Sequence, residues 1–135
     1  MTEKTWTWSF VASYYGHNTE RMADVCMACG VGAMELHPGN VEGLRDSELQ
    51  ELRKRLEAKG ICVNSFHLPF DVEDDLASFY ETQRQGAVQR MSHWMRIAGH
   101  LGARAVVQHP TTNRDTADKN GLDRYFDQIY RSLEE

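Results

Sequence analysis

The chain has 135 residues, 41% of them hydrophobic, and a formal net charge of −5. That length suits a single domain, residues 1–135, with enough apolar material for a core, and the well-mixed negative charge lacks the basic footprint that nucleic acid requires. No run approaches the length of a membrane span, and residues 1–10, with Glu3 and Lys4, have no apolar signal stretch; neither membrane nor export is expected, and the cytoplasm is the expected compartment.

In chain order, strand one is expected over residues 5–12, with Trp6 and Trp8 alternating so that one face is core. Tyr14, Tyr15, Gly16 and His17 fall in the loop 13–18. Helix one is expected over 19–29, with Asn18 as its cap. Cys26-Met27-Ala28-Cys29 is formally C-x-x-C. Met22, Val25, Cys26 and Cys29 share the i, i+3, i+4, i+7 spacing of a buried stripe, which favours packing over a redox pair. A zinc site wants a second pair, and Cys62 alone remains.

Strand two ends at His37, before the turn Pro38-Gly39-Asn40. Helix two carries a capping-box pair, Ser47 and Gln50, then the stripe Leu49, Leu52, Leu56, and stops at Gly60. Strand three is expected over 61–66. Asp71, Glu73, Asp74 and Asp75 are expected at the start of helix three, where the macrodipole favours carboxylates. Helix three is expected over 76–101, with a stripe of Tyr80, Ala87, Met91, Trp94, Met95, Ala98 and Leu101. His93 and His100 read as surface residues. Gly102 ends that helix, and strand four follows over 103–108. Residues 111–120 form a polar loop. Helix four, over 122–133, has Leu122, Phe126, Ile129 and Leu133 at helical spacing.

The order βαβαβαβα predicts a parallel sheet with outer helices and right-handed crossovers. An open doubly wound sheet normally carries a glycine-rich phosphate loop, and neither G-x-G-x-x-G nor G-x-x-x-x-G-K-[ST] occurs. The alternative is part of a (β/α)8 barrel. A whole barrel needs roughly 200 residues or more, so four units make half of one.

Three apolar runs end in histidine beside proline: Ala33-Met34-Glu35-Leu36-His37-Pro38, Ile61-Cys62-Val63-Asn64-Ser65-Phe66-His67-Leu68-Pro69 and Ala103-Arg104-Ala105-Val106-Val107-Gln108-His109-Pro110. Proline cannot donate to a ladder, so each histidine marks the C-terminal end of a strand. In parallel α/β folds that edge is where ligands bind. Glu35 and His37 are two apart and point to one face. With His67 and His109 they make a set of carboxylate and imidazole groups suited to zinc or manganese, to proton transfer, or to sugar hydroxyls. A lone histidine is more often structural; three at equivalent positions point to a site.

Together these three segments resemble the xylose-isomerase-like TIM-barrel superfamily, which includes sugar phosphate isomerases/epimerases and endonuclease IV-type enzymes. The resemblance implies a (βα)4 half of a TIM barrel, a site at the C-terminal mouth, a divalent metal, and proton transfer next to the carbonyl of a small sugar or sugar phosphate. His67 and His109 match family histidines that ligate zinc in endonuclease IV-type members and more often face substrate in the sugar enzymes. Glu35 and His37 match a polar, pocket-facing position on strand two. The family's principal metal-binding carboxylates lie on strands five to eight, so no residue here takes their role. Two further readings stay open: an endonuclease IV-like zinc phosphodiesterase, which the acidic balance disfavours, and a non-catalytic half-barrel that self-associates. The sheet is expected to be completed by a C-terminal half or by a homo-oligomeric partner, and the chain alone is expected to lack turnover.

Overall fold

The computed structural model describes residues 8–12, 18–111 and 121–135. Strands β1 (Ser9–Val11), β2 (Ala33–Leu36), β3 (Cys62–His67) and β4 (Ala105–Val107) alternate with helices α1 (Thr19–Ala28), α2 (Asp46–Ala58), α3 (Glu81–His100) and α4 (Leu122–Glu134). All strand pairs are parallel, in the order β1-β2-β3-β4. This is the α/β repeat of half a TIM barrel, as the sequence predicts. The chain divides into two compact units, Met1–His67 with Arg96–Val107 and Leu68–Met95 with Gln108–Glu135.

The first unit holds the sheet. Met34, Leu36 and Phe66 are fully buried on one of its faces, and α1 and α2 contribute Met22, Ala23 and Cys26, and Leu49, Leu52 and Leu56, to the buried core. Burying one such side chain stabilises by about 1.5–3 kcal/mol. Asn18 caps α1 by accepting from Arg21 N at 3.0 Å, as predicted. Cys29 departs from its predicted place. It is the C-cap and exposed, so the buried stripe is Met22, Ala23, Cys26. Burial pushes the Cys26 thiol up, which makes it a poor nucleophile, and all three cysteines are free.

The cap of helix α2 lies two residues before the predicted Ser47–Gln50 box. Arg45 is the N-cap, and Glu48 reaches back to its N–H at 2.8 Å and to its guanidinium at 3.0 Å. The charged pair outcompetes the serine hydroxyl for the helix start. Gly60 follows α2 at φ 72°, the left-handed backbone expected of a C′ glycine.

Strand β3 does not pair evenly with β2. Met34 lies beside Val63, but Glu35 lies beside Ser65, so Asn64 is an extra, exposed residue. Its carbonyl accepts from Arg104 N at 3.3 Å. Trp8 is 75% exposed, so the core face expected of strand one does not lie at that residue. Trp6 and the rest of that strand's predicted start lie outside the described residues, as do Tyr14, Tyr15, His17 and residues 112–120.

In the second unit the four acidic residues do not open α3. Asp71 caps a short 3-10 turn, Val72–Asp74, and α3 starts only at Glu81. Asp74 is instead buried against Arg90 at 2.9 Å, and Asp75 accepts from Ala77 N at 3.0 Å. Local side-chain bonds win here over the macrodipole. Ala87 and Met91 of α3 are buried, whereas Met95 and, just before the helix, Tyr80 are exposed; Ala98 and Leu101, which belong to the first unit, are buried there. Helix α4 turns Tyr125, Ile129 and Ser132 inward, with Ala77 beside the first two, and leaves Leu122, Phe126 and Leu133 exposed. No helix among the described residues is long and apolar enough to cross a membrane.

Candidate functional site

The register assigns the predicted residues to faces. Val11, Glu35, Ser65 and Ala105 are successive partners across the four strands, and His67 pairs with Val107 one step on in that row's face. Partners in a parallel ladder point the same way, so Glu35, Ser65 and His67 share one face at the C-terminal ends of β2 and β3. The opposite face carries Met34, Leu36, Val63 and Phe66, all buried.

Ser65 brings a contact that sequence reasoning missed. Its hydroxyl donates to Glu35 Oε2 at 2.6 Å, the short length of a charge-assisted bond. A serine in a strand gives no motif, and the bulge that places it beside Glu35 has no glycine to announce it.

His37 lies one residue past β2 and caps the Pro38–Asn40 turn. Its Nδ1 accepts from Gly39 N at 3.2 Å, so the neutral ring carries its proton on Nε2. A Cβ on Gly39 would stand 3.0 Å from the His37 ring, so the glycine permits this close approach. Asn40, read from sequence only as a turn residue, is buried and ties three elements. Its Oδ1 accepts from His37 N at 2.9 Å, its Nδ2 donates to Ala12 O at 3.3 Å, and its carbonyl accepts from Thr19 Oγ1 at 3.2 Å. The strand-two histidine is therefore held at its backbone and at one ring nitrogen.

His109 belongs to the second unit, where its ring centroid lies 4.6 Å from that of Phe70 at a tilt of 38°. Phe70 is 52% exposed, so the pair presents an aromatic surface. His93 is exposed, as predicted. His100 is not simply a surface residue: its Nε2 lies 3.4 Å from Asp46 and its Nδ1 3.3 Å from Gln50 Nε2, and Arg96 also grips Asp46. A cavity of about 460 Å³ in the first unit is lined by Asn18, Thr19, Glu20, Glu42, Leu52 and Arg55 among others. None of these is a predicted site residue, and an ion pair between Arg55 and Glu20 spans it. Glu35, Ser65 and His67 lie instead on the sheet face.

Among the described residues, no three histidine, cysteine, aspartate or glutamate side chains gather as a metal-binding group. Glu35 is engaged by Ser65 and His37 Nδ1 by Gly39. These residues alone do not fit the divalent centre that the resemblance implies.

Solved structures share this fold. D-psicose 3-epimerase from Clostridium cellulolyticum H10, solved with D-tagatose, aligns over 96% of this chain and 48% of its own, at 12% identity and a TM-score of 0.74. The 3-keto-D-glucoside 4-epimerase YcjR from E. coli aligns over 97% and 50%, at 12% identity and 0.72. A xylose isomerase domain protein from Planctomyces limnophilus aligns over 94% and 49%, at 18% identity and 0.60. The chain thus spans about half the length of these structures, and at such identities the likeness is one of fold. A search of curated proteins finds no significant sequence match. The sequence profile of the xylose isomerase-like TIM barrel matches residues 22–135, and the chain belongs to that family.

Proposed function

We propose that this chain forms part of a sugar (phosphate) isomerase or epimerase, acting by proton transfer next to a carbonyl. The observation that carries the reading is the polar row at the C-terminal ends of β2 and β3, where the Glu35 carboxylate, the Ser65 hydroxyl and His67 share one sheet face. Carboxylate and imidazole side by side bind sugar hydroxyls and move protons between neighbouring carbons. The epimerases of like fold, one of them solved with D-tagatose, support a sugar as substrate. On this proposal Glu35, His37, His67 and His109 contact the substrate, and both compact units belong to one domain.

Zinc or manganese, held in part by His67 and His109, belongs to the same proposal. Such an ion would polarise the substrate carbonyl. Among the described residues no group of three such ligands is gathered. The endonuclease IV-like reading has less support, because the net charge of −5 does not suit a phosphodiester backbone.

The experiment is a titration of the chain with D-tagatose, followed by amide NMR. Shifts centred on Glu35, Ser65 and His67 are expected, weakened several-fold by Glu35→Gln and by His67→Ala. Absence of binding, or binding unaffected by both changes, overturns the reading. The chain spans about half the length of the epimerases of like fold, and its turnover of ketose or aldose phosphates alone is expected at background.

Self-association is a second proposal, carried by a separate observation. β1 and β4 flank the sheet, and Val11, Val106 and Val107 on them are 48%, 40% and 36% exposed. A second copy of the chain would pair and cover these strands.

A further inference from the structure

We propose that Ser65 is a positioning residue: its hydroxyl holds Glu35 Oε2 so that the other carboxylate oxygen is presented to a hydroxyl of a bound sugar. The sugar half of this inference rests on the function proposed above; the positioning half does not.

The bulge at Asn64 carries the argument. Continued evenly from Met34–Val63, the ladder would set Glu35 beside Asn64 and Leu36 beside Ser65. Ser65 and His67 would then face the helices, and Phe66 would turn onto the polar face. A slip of one residue inverts every side chain beyond it. The extra residue prevents this: Phe66 is fully buried under the helices, while Ser65 and His67 join Glu35. Bulges of this kind re-aim side chains next to active sites.

Ser65 is itself 8% exposed, and its row neighbour on β4 is the small Ala105. A side chain so enclosed has few rotamers open to it, and the 2.6 Å bond fixes the carboxylate it touches. Glu35 is half-buried, so part of its carboxylate surface stays accessible. An ionised carboxylate accepts hydrogen bonds and donates none. The group it suits is therefore a hydrogen-bond donor, such as a sugar hydroxyl, rather than a phosphate or carboxylate.

Two measurements on the full chain test this. The first needs no ligand. Side-chain three-bond couplings of Glu35 should report one rotamer in the wild type and in Ser65→Thr, which keeps the hydroxyl, and averaged rotamers in Ser65→Ala. A single rotamer in Ser65→Ala overturns the positioning role. The second is D-tagatose affinity. Ser65→Ala should weaken it about five- to tenfold and Ser65→Thr should restore it. In a Glu35→Ala background, Ser65→Ala should change nothing further, because Ser65 acts through Glu35. Additive losses would overturn the inference. Rotamer averaging in Ser65→Ala without sugar binding by the wild type would leave the positioning role standing and overturn the sugar as its object.

Discussion

Arg84 and Ser132 share a buried hydrogen bond: Arg84 Nη1 donates to Ser132 Oγ at 3.1 Å, and that hydroxyl donates to Leu76 O at 2.7 Å. Arg84 is fully buried. Its remaining donors meet Glu81 at 2.9 and 3.2 Å and Glu135 at 2.5 Å. These bonds to Glu81 and then Glu135 keep the guanidinium charged against its burial. The cluster joins α3 to α4 within the second unit.

The first prediction follows from that burial. Arg84→Ala leaves a void and strips Ser132 of a donor, and should cost roughly 2–4 kcal/mol. Arg84→Met fills the volume without the charge. Both carboxylates are about 40% exposed and can hydrate, so this change should cost less than half as much. Urea unfolding followed by tryptophan fluorescence measures both. Equal losses would show that the ion pairs, not the packing, hold the helices.

The second prediction concerns acid. The Arg84 guanidinium holds the Glu81 carboxyl below its ordinary value, and Arg45 holds Glu48 down to about 2. A carboxyl lowered in the folded state adds stability that is fully present above its unfolded pKa. That stability is lost as pH falls through the folded value. The loss should therefore run from about pH 4.5 down toward 2. Glu81→Gln should flatten the fall in urea midpoint over this range, converging with the wild type at the acid end. An unchanged slope would remove Glu81 from the account.

The order of elements was legible because glycine and proline punctuate it: Gly60 and Gly102 take the left-handed backbone where their helices stop, and Pro38, Pro69 and Pro110 each fall within three residues of a strand's end. Stripes such as Leu49, Leu52 and Leu56 were legible because burial selects on period alone. The cap of α2 lies two residues before the expected Ser47 because Arg45 and Glu48 cap it with charge. Helix α3 was drawn five residues too early, because Asp71, Asp74 and Asp75 bond locally instead of opening it. In the candidate site Glu35 could be placed by alternation, and His67 by the proline two residues on that marks the end of its strand. Ser65 could not, because the Asn64 bulge breaks the period that alternation relies on. Nor could the cap that His37 makes on Gly39, which depends on a ring rotamer rather than a spacing.

The third prediction tests the metal. His67 lies in the first unit and His109 in the second, each offering an imidazole, and no group of three metal-ligating side chains occurs among the described residues. Zinc or manganese should bind weakly to the chain, and His67→Ala with His109→Ala should lower the affinity further. Calorimetric titration measures this. Tight one-to-one binding that survives the double change would move the metal site elsewhere.

The last prediction concerns assembly. A sheet edge presents unpaired N–H and C=O groups, and proteins guard such edges with charge, twist or a partner. Here β4 is exposed at all three of its residues, and Arg104 is the sole charge beside it. Val11 and Val107 lie on the face that carries Glu35, which in a closed barrel would be the packed interior. On the proposal that a second copy covers them, β4 of one chain would meet β1 of the other, and two chains would supply eight strands. Light scattering at micromolar concentration should give a dimer or larger species. Val107→Lys places a charge in that interface and should shift the mass toward the monomer. A monodisperse wild-type monomer would overturn the assembly.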